Sequence, residues 1–538
     1  MSPWSERCRR AHAALVGSAA LVGTCLLAGC VVGPNFHAPT APETARYTPQ
    51  APAALTQGAR ASVPASQNTA TATVPGLTLD NALPVPAQWW SLLGSARLDA
   101  TIRAALTGNR TLAAAQARLA EAQEHVAESE AGLFPQVNLD ATAGRVKYGP
   151  AFLGPEKLPA FSYFSVGPAV SYAFDYTGGV RRGIEQQRAV QEAQQQQLQA
   201  AALSLSGNVA LQALALADAQ AQLDSLTALL ADDRRNLQLV QDAFDAGGTT
   251  RVDILNAQSQ LANDQTLLAP LARQRALAAD ALALLSGRAP GDVPVPAFTL
   301  QDFHLPAALP LTLPSELAHR RPDILAAEAR LHAATAAVGV ASAALYPQIS
   351  LSANASFQSN AIEKLFNAAG IGDALAGNLT APLFNHGQLR ARERAAADEM
   401  HAALADYQQT VLASFTQVAD ALQSLDHDQE LLASEQAAVQ VAAQNLALTR
   451  ESFSAGNSGV LQVLDAQRSD QQARLGLVRA QSQRYQDAVQ LLLALGGAIS
   501  LPQSPTPVSH RPPSRGSVSQ VPSSFIAPQT MMAPAQRG

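Results

Sequence analysis

Cys30 is the residue whose surroundings most plainly specify chemistry. It closes the run Leu27-Ala28-Gly29-Cys30, which resembles the bacterial lipobox. In that motif the thiol takes a diacylglycerol, cleavage before the cysteine frees its amine, and the amine takes an N-acyl chain. Upstream, Arg7, Arg9 and Arg10 form a positive n-region and Ala13 to Leu27 a short apolar stretch. A stretch of this kind is too short to span a membrane and ends in small residues, so residues 1–29 read as a lipoprotein signal peptide. Val31, rather than Asp, follows the cysteine, which favours the outer membrane. Cys8 and Cys25 leave with the signal, so the mature chain keeps one cysteine and forms no internal disulfide. Two or more acyl chains anchor stably, each buried CH₂ contributing ~0.8 kcal/mol.

Elsewhere the side chains offer little reactive chemistry. There is no G-x-x-x-x-G-K-[ST], no H-E-x-x-H and no paired C-x-x-C. His319 and His332 fall on a helical stretch without a second ligand at i+4. Two of the four methionines, Met531 and Met532, lie near the C-terminus, so a soft-metal relay has no basis. No enzyme, metal or cofactor is expected beyond the lipid on Cys30. The net charge of −6 argues against nucleic acid. Lys147, Lys157 and Lys364 are the only lysines, and all fall in 146–161 and 358–374, the segments joining paired strands. These would be external loops meeting lipid phosphates, or three surface lysines placed by chance.

The elements that carry these residues have two periods. Leu404, Val411, Val418, Leu425, Leu432, Val439, Leu446 and Phe453 recur every seven residues, as do Val209, Leu216, Leu223, Leu230, Leu237 and Phe244. Sustained heptads in an Ala-, Leu- and Gln-rich chain with only 14% charged residues imply long supercoiled helices. The stretch 387–455 would reach about 100 Å. Strand-like alternation appears near 137–145, 162–175, 348–358 and 374–384, apolar on one face and small or polar on the other, as in a membrane barrel or a half-buried sheet. No apolar run of 18 residues follows position 30, so no membrane helix is expected there.

The chain also repeats itself. Residues 109–141 align with 321–353 at 13 of 33 positions, and Phe244, Ala246, Gly247 and Leu255 match Phe453, Ala455, Gly456 and Leu464 at an offset of 209. The expected organisation is a signal peptide (1–29), an acylated extended tether (30–88), a first repeat (89–316) with long helix 178–245 and helix 251–287, a second repeat (317–500) with long helix 387–455 and helix 460–496, and a disordered Pro/Ser-rich tail (501–538). Four strands cannot close a barrel, since open edges are not tolerated in lipid. Several chains must combine, and three would supply twelve strands.

Cys30-Val31-Val32-Gly33-Pro34-Asn35-Phe36, Trp89-Trp90 with Leu98-Asp99 and Asn109, Phe134-Pro135-Gln136, Tyr346-Pro347-Gln348, Leu383-Phe384-Asn385 with Gly387, and Val463-Leu464-Asp465-Ala466-Gln467 together resemble the TolC-like outer-membrane efflux proteins, in their NodT-type lipoprotein branch. The resemblance runs from Cys30 to about Gly497. It implies a homotrimer in which a 12-stranded outer-membrane β-barrel continues into a periplasmic α-helical barrel. It further implies a passive exit duct for small toxic compounds, docked to a periplasmic adaptor and an inner-membrane resistance-nodulation-division pump. The turns at Gly247, Gly248 and Thr249 and at Gly456, Asn457 and Ser458 would meet the adaptor. They would also end helices in any case, through glycine's left-handed dihedrals. The family's inner helix begins with a D-x-x-D-like acidic pair at the gate. Here the matching pairs are Gln462 with Asp465 and Asp253 with Asn256. Asp465 reads as a gate ring or as a helix-start carboxylate, while Asp253 reads better as the latter. A type I protein-secretion channel and a non-conducting trimeric structural lipoprotein remain as alternatives.

Overall fold

A computed structural model describes residues 31–40, 44, 46–49, 55, 60–63, 70–73, 76–148, 159–292, 296–496 and 499. The segments read as a signal peptide (1–29) and a tail (501–538), together with Cys30 and Lys157, lie outside the described residues. The segment read as an extended tether carries structure. Strands β1 (Arg60–Val63) and β2 (Ala70–Thr73) pair antiparallel, and β3 (Thr78–Asp80) pairs parallel with β6 (Ala308–Pro310). The cause is scattered apolar anchors. Leu55 and Leu77 are buried in a cluster with Leu309, Val418, Leu425 and Leu491, and Leu55 N–H donates to Asp426 Oδ1 at 3.0 Å. No periodicity in the tether reveals such anchors.

Trp89–Leu93 then forms a 3₁₀ turn before helices α1 (Ala96–Gly108) and α2 (Arg110–Ala131). Both indoles are buried, and each satisfies its N–H: Trp89 Nε1 donates to Ser206 Oγ at 3.0 Å, Trp90 Nε1 to Asp99 Oδ1 at 2.9 Å. Strands β4 (Gln136–Val146) and β5 (Phe161–Phe174) follow, then α3 (Gly179–Asp245), α4 (Arg251–Gln265) and α5 (Leu268–Leu285). The single helix expected over 251–287 is therefore broken at Thr266-Leu267. Pro270 lacks the N–H that the carbonyl four residues back requires, and its ring crowds that carbonyl. The position 209 residues on is Arg479, and helix α9 (Val460–Ala494) runs through it unbroken.

The second half repeats this order: a short helix α6 (Pro314–Leu317), α7 (Pro322–Ala343), β7 (Gln348–Ser359), β8 (Ile371–Thr380), α8 (Gln388–Ser454) and α9. β8 begins three residues before, and ends four before, the expected 374–384. Pro382 has no ladder donor, and the exposed Leu383 and Phe384 continue the apolar pattern beyond the strand. Helices α3 and α8 each have 67 residues, about 100 Å at 1.5 Å per residue. Each is preceded by a left-handed glycine, Gly178 (φ 76°) and Gly387 (φ 81°).

Packing runs along these helices. α3 lies against α7, α2, α5 and α9, and α8 against α9 and α7. The heptad residues Val209, Leu216, Leu223, Leu230, Val411, Val418, Leu425 and Leu432 are buried, whereas Phe244 and Phe453 beside the turns are exposed. Each buried leucine contributes about 1.5–3 kcal/mol. Windows in α3 and α7 are long and apolar enough, by composition, to pass for membrane spans. In each, 56% of the window is buried inside the chain, as in core helices.

The four long strands form one antiparallel sheet in the order β4-β5-β7-β8. Register aligns Val137 with Val170, Val170 with Ala353, and Ala353 with Leu375. One face is thereby apolar along four strands and open to its surroundings: Leu139 is 74% exposed, Leu375 82% and Leu379 69%. Asp373, opposite Ala355, is a charged residue on this face, near the segment that joins β7 to β8. The opposite face forms a trough of about 360 Å³, lined by Asn138, Asp140, Ser171, Ser352 and Asn354.

Candidate functional site

Three places in the fold bear on function: the two turns at one end of the long helices, the polar trough of the sheet, and the junction between sheet and helices. The turns are near copies. Gly247 (φ 75°) and Gly456 (φ 77°) take left-handed dihedrals. Gly248 N–H donates to Ala243 O at 2.8 Å and Asn457 N–H to Ser452 O at 2.9 Å, so each long helix ends in a six-residue reversal. Thr249 Oγ1 and Ser458 Oγ each reach back nine residues, to Val240 O at 3.3 Å and Thr449 O at 3.4 Å. Around both turns the surface is apolar in the same pattern: Leu239, Phe244 and Val252 in the first half, Leu448, Phe453 and Leu461 in the second, all exposed.

Beyond each turn the next helix is capped from its third position. Asp253 Oδ2 accepts from Thr250 N–H and from Thr250 Oγ1, both at 2.8 Å. These bonds hold the Asp253 carboxyl below the usual aspartate value. Gln462, at the equivalent position, accepts through Oε1 from Gly459 N–H. Asp253 and Gln462 are thus occupied in closing helix starts. Asp465, one turn on, is exposed and makes no hydrogen bond or ion pair among the described residues. Its counterpart Asn256 is likewise exposed but uncharged. Of the three expected gate residues, the structure leaves one carboxylate unengaged.

At the junction, the segment after Cys30 is held against the helices. Val32 N–H donates to Thr177 O at 3.0 Å. The buried Arg182 of α3 donates to Val32 O at 3.2 Å, Gly33 O at 3.3 Å, Asn35 Oδ1 at 2.6 Å and Glu185 Oε2 at 2.7 Å. Glu185 meets His332 Nε2 at 3.0 Å, and Phe36 stacks on that imidazole at 4.4 Å. His332 is therefore part of a polar clamp. A Cβ on Gly33 would lie 2.4 Å from Gly339 Cα, so close backbone approach demands glycine there. Sequence reasoning missed Arg182 and Glu185 because neither lies in a motif.

The helical interior also holds carboxyls that pattern reading did not single out. Asp218, Asp233, Asp264, Asp428 and Asp470 are buried. Burial, then the neighbouring Asp264, pushes Asp233 up to about 6, and burial, then Asp487, pushes Asp428 up to about 7. Among the described residues, no group of three or more His, Cys, Asp and Glu is placed to hold a metal ion.

Comparison with known families matches the outer membrane efflux proteins twice, over residues 101–288 and 313–497, once in each half. The chain belongs to the outer membrane efflux protein family. It is 33% identical over 435 residues to the pyoverdine export outer membrane protein OpmQ of Pseudomonas putida, covering 78% of this chain and 90% of that one. It is 28% identical over 485 residues to the toluene efflux pump outer membrane protein TtgI of Pseudomonas putida, covering 89% and 97%. Among solved structures it is similar to the outer-membrane channel OprN, with a TM-score of 0.76, 28% identity, and coverage of 87% of this chain and 99% of the other. This efflux protein is an outer-membrane exit duct, its fold that of the outer-membrane channels.

Proposed function

We propose that three copies of this chain close into a 12-stranded outer-membrane barrel continued by a tunnel of long helices. The two halves, related by an internal duplication, each supply two strands and one pair of long helices. The observation that carries this is the sheet: four strands with an exposed apolar face, a polar trough behind it, and free outer edges on β4 and β8. In lipid an open edge leaves backbone groups unsatisfied at several kcal/mol each. Pairing β4 of one copy with β8 of the next removes both edges. The apolar face then meets lipid and the trough becomes the lumen. Cysteines introduced for Asn138 and Asn378, both on the lumen face, test the closure. With Cys30 replaced by Ser, oxidation should give covalent trimers on a denaturing gel. A ladder without a closed trimer, or no cross-link, would overturn it.

In this reading Cys30 carries N-acyl and S-diacylglycerol chains. Support comes from the lipobox-like run and from the anchoring of Val32, two residues after Cys30, to Thr177 between β5 and α3. The turns at Gly247, Gly248 and Thr249 and at Gly456, Asn457 and Ser458 are the docking end for a periplasmic adaptor, which links the duct to an inner-membrane resistance-nodulation-division pump. The doubled apolar pattern around the turns supports that use. A ring of three Asp465 carboxylates narrows and charges the entrance, attracting cations. The cargo is a small compound, as for the relatives named for pyoverdine export and toluene efflux.

A further inference from the structure

The first hairpin contains a charge arrangement that channel architecture alone does not require. α3 and α4 pack antiparallel through two apolar layers. Leu226, Leu229 and Leu230 meet Leu261, Leu268 and Leu271, and nearer the turn Val240 meets Ala257, with Leu237 and Ile254 alongside. The register that joins these layers sets Asp233 of α3 opposite Asp264 of α4. Asp233 is 6% exposed and Asp264 8%. Asp233 Oδ2 is buried without a hydrogen-bond partner, whereas Asp264 Oδ2 accepts from Gln260 Nε2.

The other charges nearby do not neutralise the pair. Asp232 of α3 is bonded by Arg235. Arg468 of α9 faces Asp233 and draws its carboxyl down only weakly beside burial and Asp264. Asp470 of α9 is taken by Arg474 at 2.7 Å. α5 contributes the uncharged Leu268 and Leu271. The second hairpin holds a comparable pair, Asp428 and Asp487, with Arg484 beside it as Arg468 is beside Asp233.

We propose that Asp233 and Asp264 form a proton-dependent latch between α3 and α4. With one proton taken from solvent and shared, an O–H···O bond joins the helices and satisfies the orphaned Asp233 oxygen. With both carboxyls ionised, two buried negative charges push the hairpin apart about 14 residues, or roughly 20 Å, from the Gly247 turn.

The Asp233 carboxyl titrates near 6 in the folded chain against 3.8 ordinarily. A raised value means the stabilisation is complete below pH 3.8 and is lost as pH rises through about 6. Acidification therefore tightens the hairpin. The latch needs only the fold; its effect on the duct's periplasmic end rests on the trimeric reading.

Hydrogen exchange on the purified intact protein, corrected for intrinsic rates, separates the two. Amides of residues 254–264 should be about 20-fold better protected at pH 4.5 than at pH 7.5. Asp233→Asn, whose amide donates to Asp264 at any pH, should show less than about a twofold difference, and so should Asp264→Asn. Protection that does not change with pH in the native chain, or a pH dependence retained in both variants, overturns the latch whether or not the protein conducts.

Discussion

Asp253 and Gln462 lie 209 residues apart, and each closes the first turn of its own helix by accepting a backbone N–H from three residues back. That use occupies both side chains at helix starts, whereas Asp465 makes no hydrogen bond or ion pair among the described residues. Asp253→Ala should fray the start of α4, seen as faster hydrogen exchange at Ile254 and Leu255, with ion selectivity unchanged. Because the Asp253 carboxyl is held low when folded, its contribution is present above the ordinary 3.8 and is lost as pH falls through the lowered value. The native α4 start should therefore fray only in strong acid.

Asp465→Ala should do the reverse. Exchange in α9 should be unchanged, while block by multivalent cations weakens and cation preference falls. The preference of the native ring should itself be modest, because one carboxylate per chain contributes rather than two. Unaltered block and selectivity in reversal-potential recordings would leave Asp465 as a helix-start residue only.

The turns separate backbone need from docking need. A Cβ at Gly456 meets open space, so Gly456→Val costs only the left-handed dihedral, about 1–2 kcal/mol, and should loosen the turn. Asn457 is exposed, and Asn457→Trp should leave the proposed trimer intact yet abolish resistance in cells. Gly248→Trp should act in the same way, although its Cβ lies 3.3 Å from Ala243 O. Full resistance in Asn457→Trp would remove this turn from the adaptor contact.

Trp89 is fully buried, with its N–H on Ser206 Oγ. Trp89→Ala should destabilise by about 3–5 kcal/mol. Trp89→Phe, which keeps most of the ring volume and loses the hydrogen bond, should cost about 1–3 kcal/mol. Thermal unfolding of the purified variants should rank native, Phe and Ala in that order.

Replacement of Cys30 by Ser should remove acyl mass from the mature chain and weaken outer-membrane sorting without abolishing conductance. Intact-mass spectrometry of the native protein should show the lipid. An unmodified mature cysteine would contradict the lipidation reading.

The long helices and their turns were legible because two strong local signals coincide there. Unbroken heptads end at Phe244 and Phe453, and glycines able to take positive φ follow at 247 and 456. The strands were legible by alternation, but the ends of β8 were not, since Leu383 and Phe384 extend the apolar pattern past a proline. Pro270 was a visible break whose effect was masked by the intact periodicity of α9 in the matching position. The Arg182 clamp and the Asp233–Asp264 pair were not readable, because each joins residues from separate elements that no local spacing connects. Both depend on which faces meet, and only the packed structure supplies that.

The central claim is that this chain forms an open-ended duct, and planar-bilayer recording of the purified protein tests it most directly. The account predicts discrete, cation-preferring conductance steps whose cation preference falls in Asp465→Ala. A folded, inserted trimer that never conducts, even with the turn loosened by Gly456→Val, would contradict it.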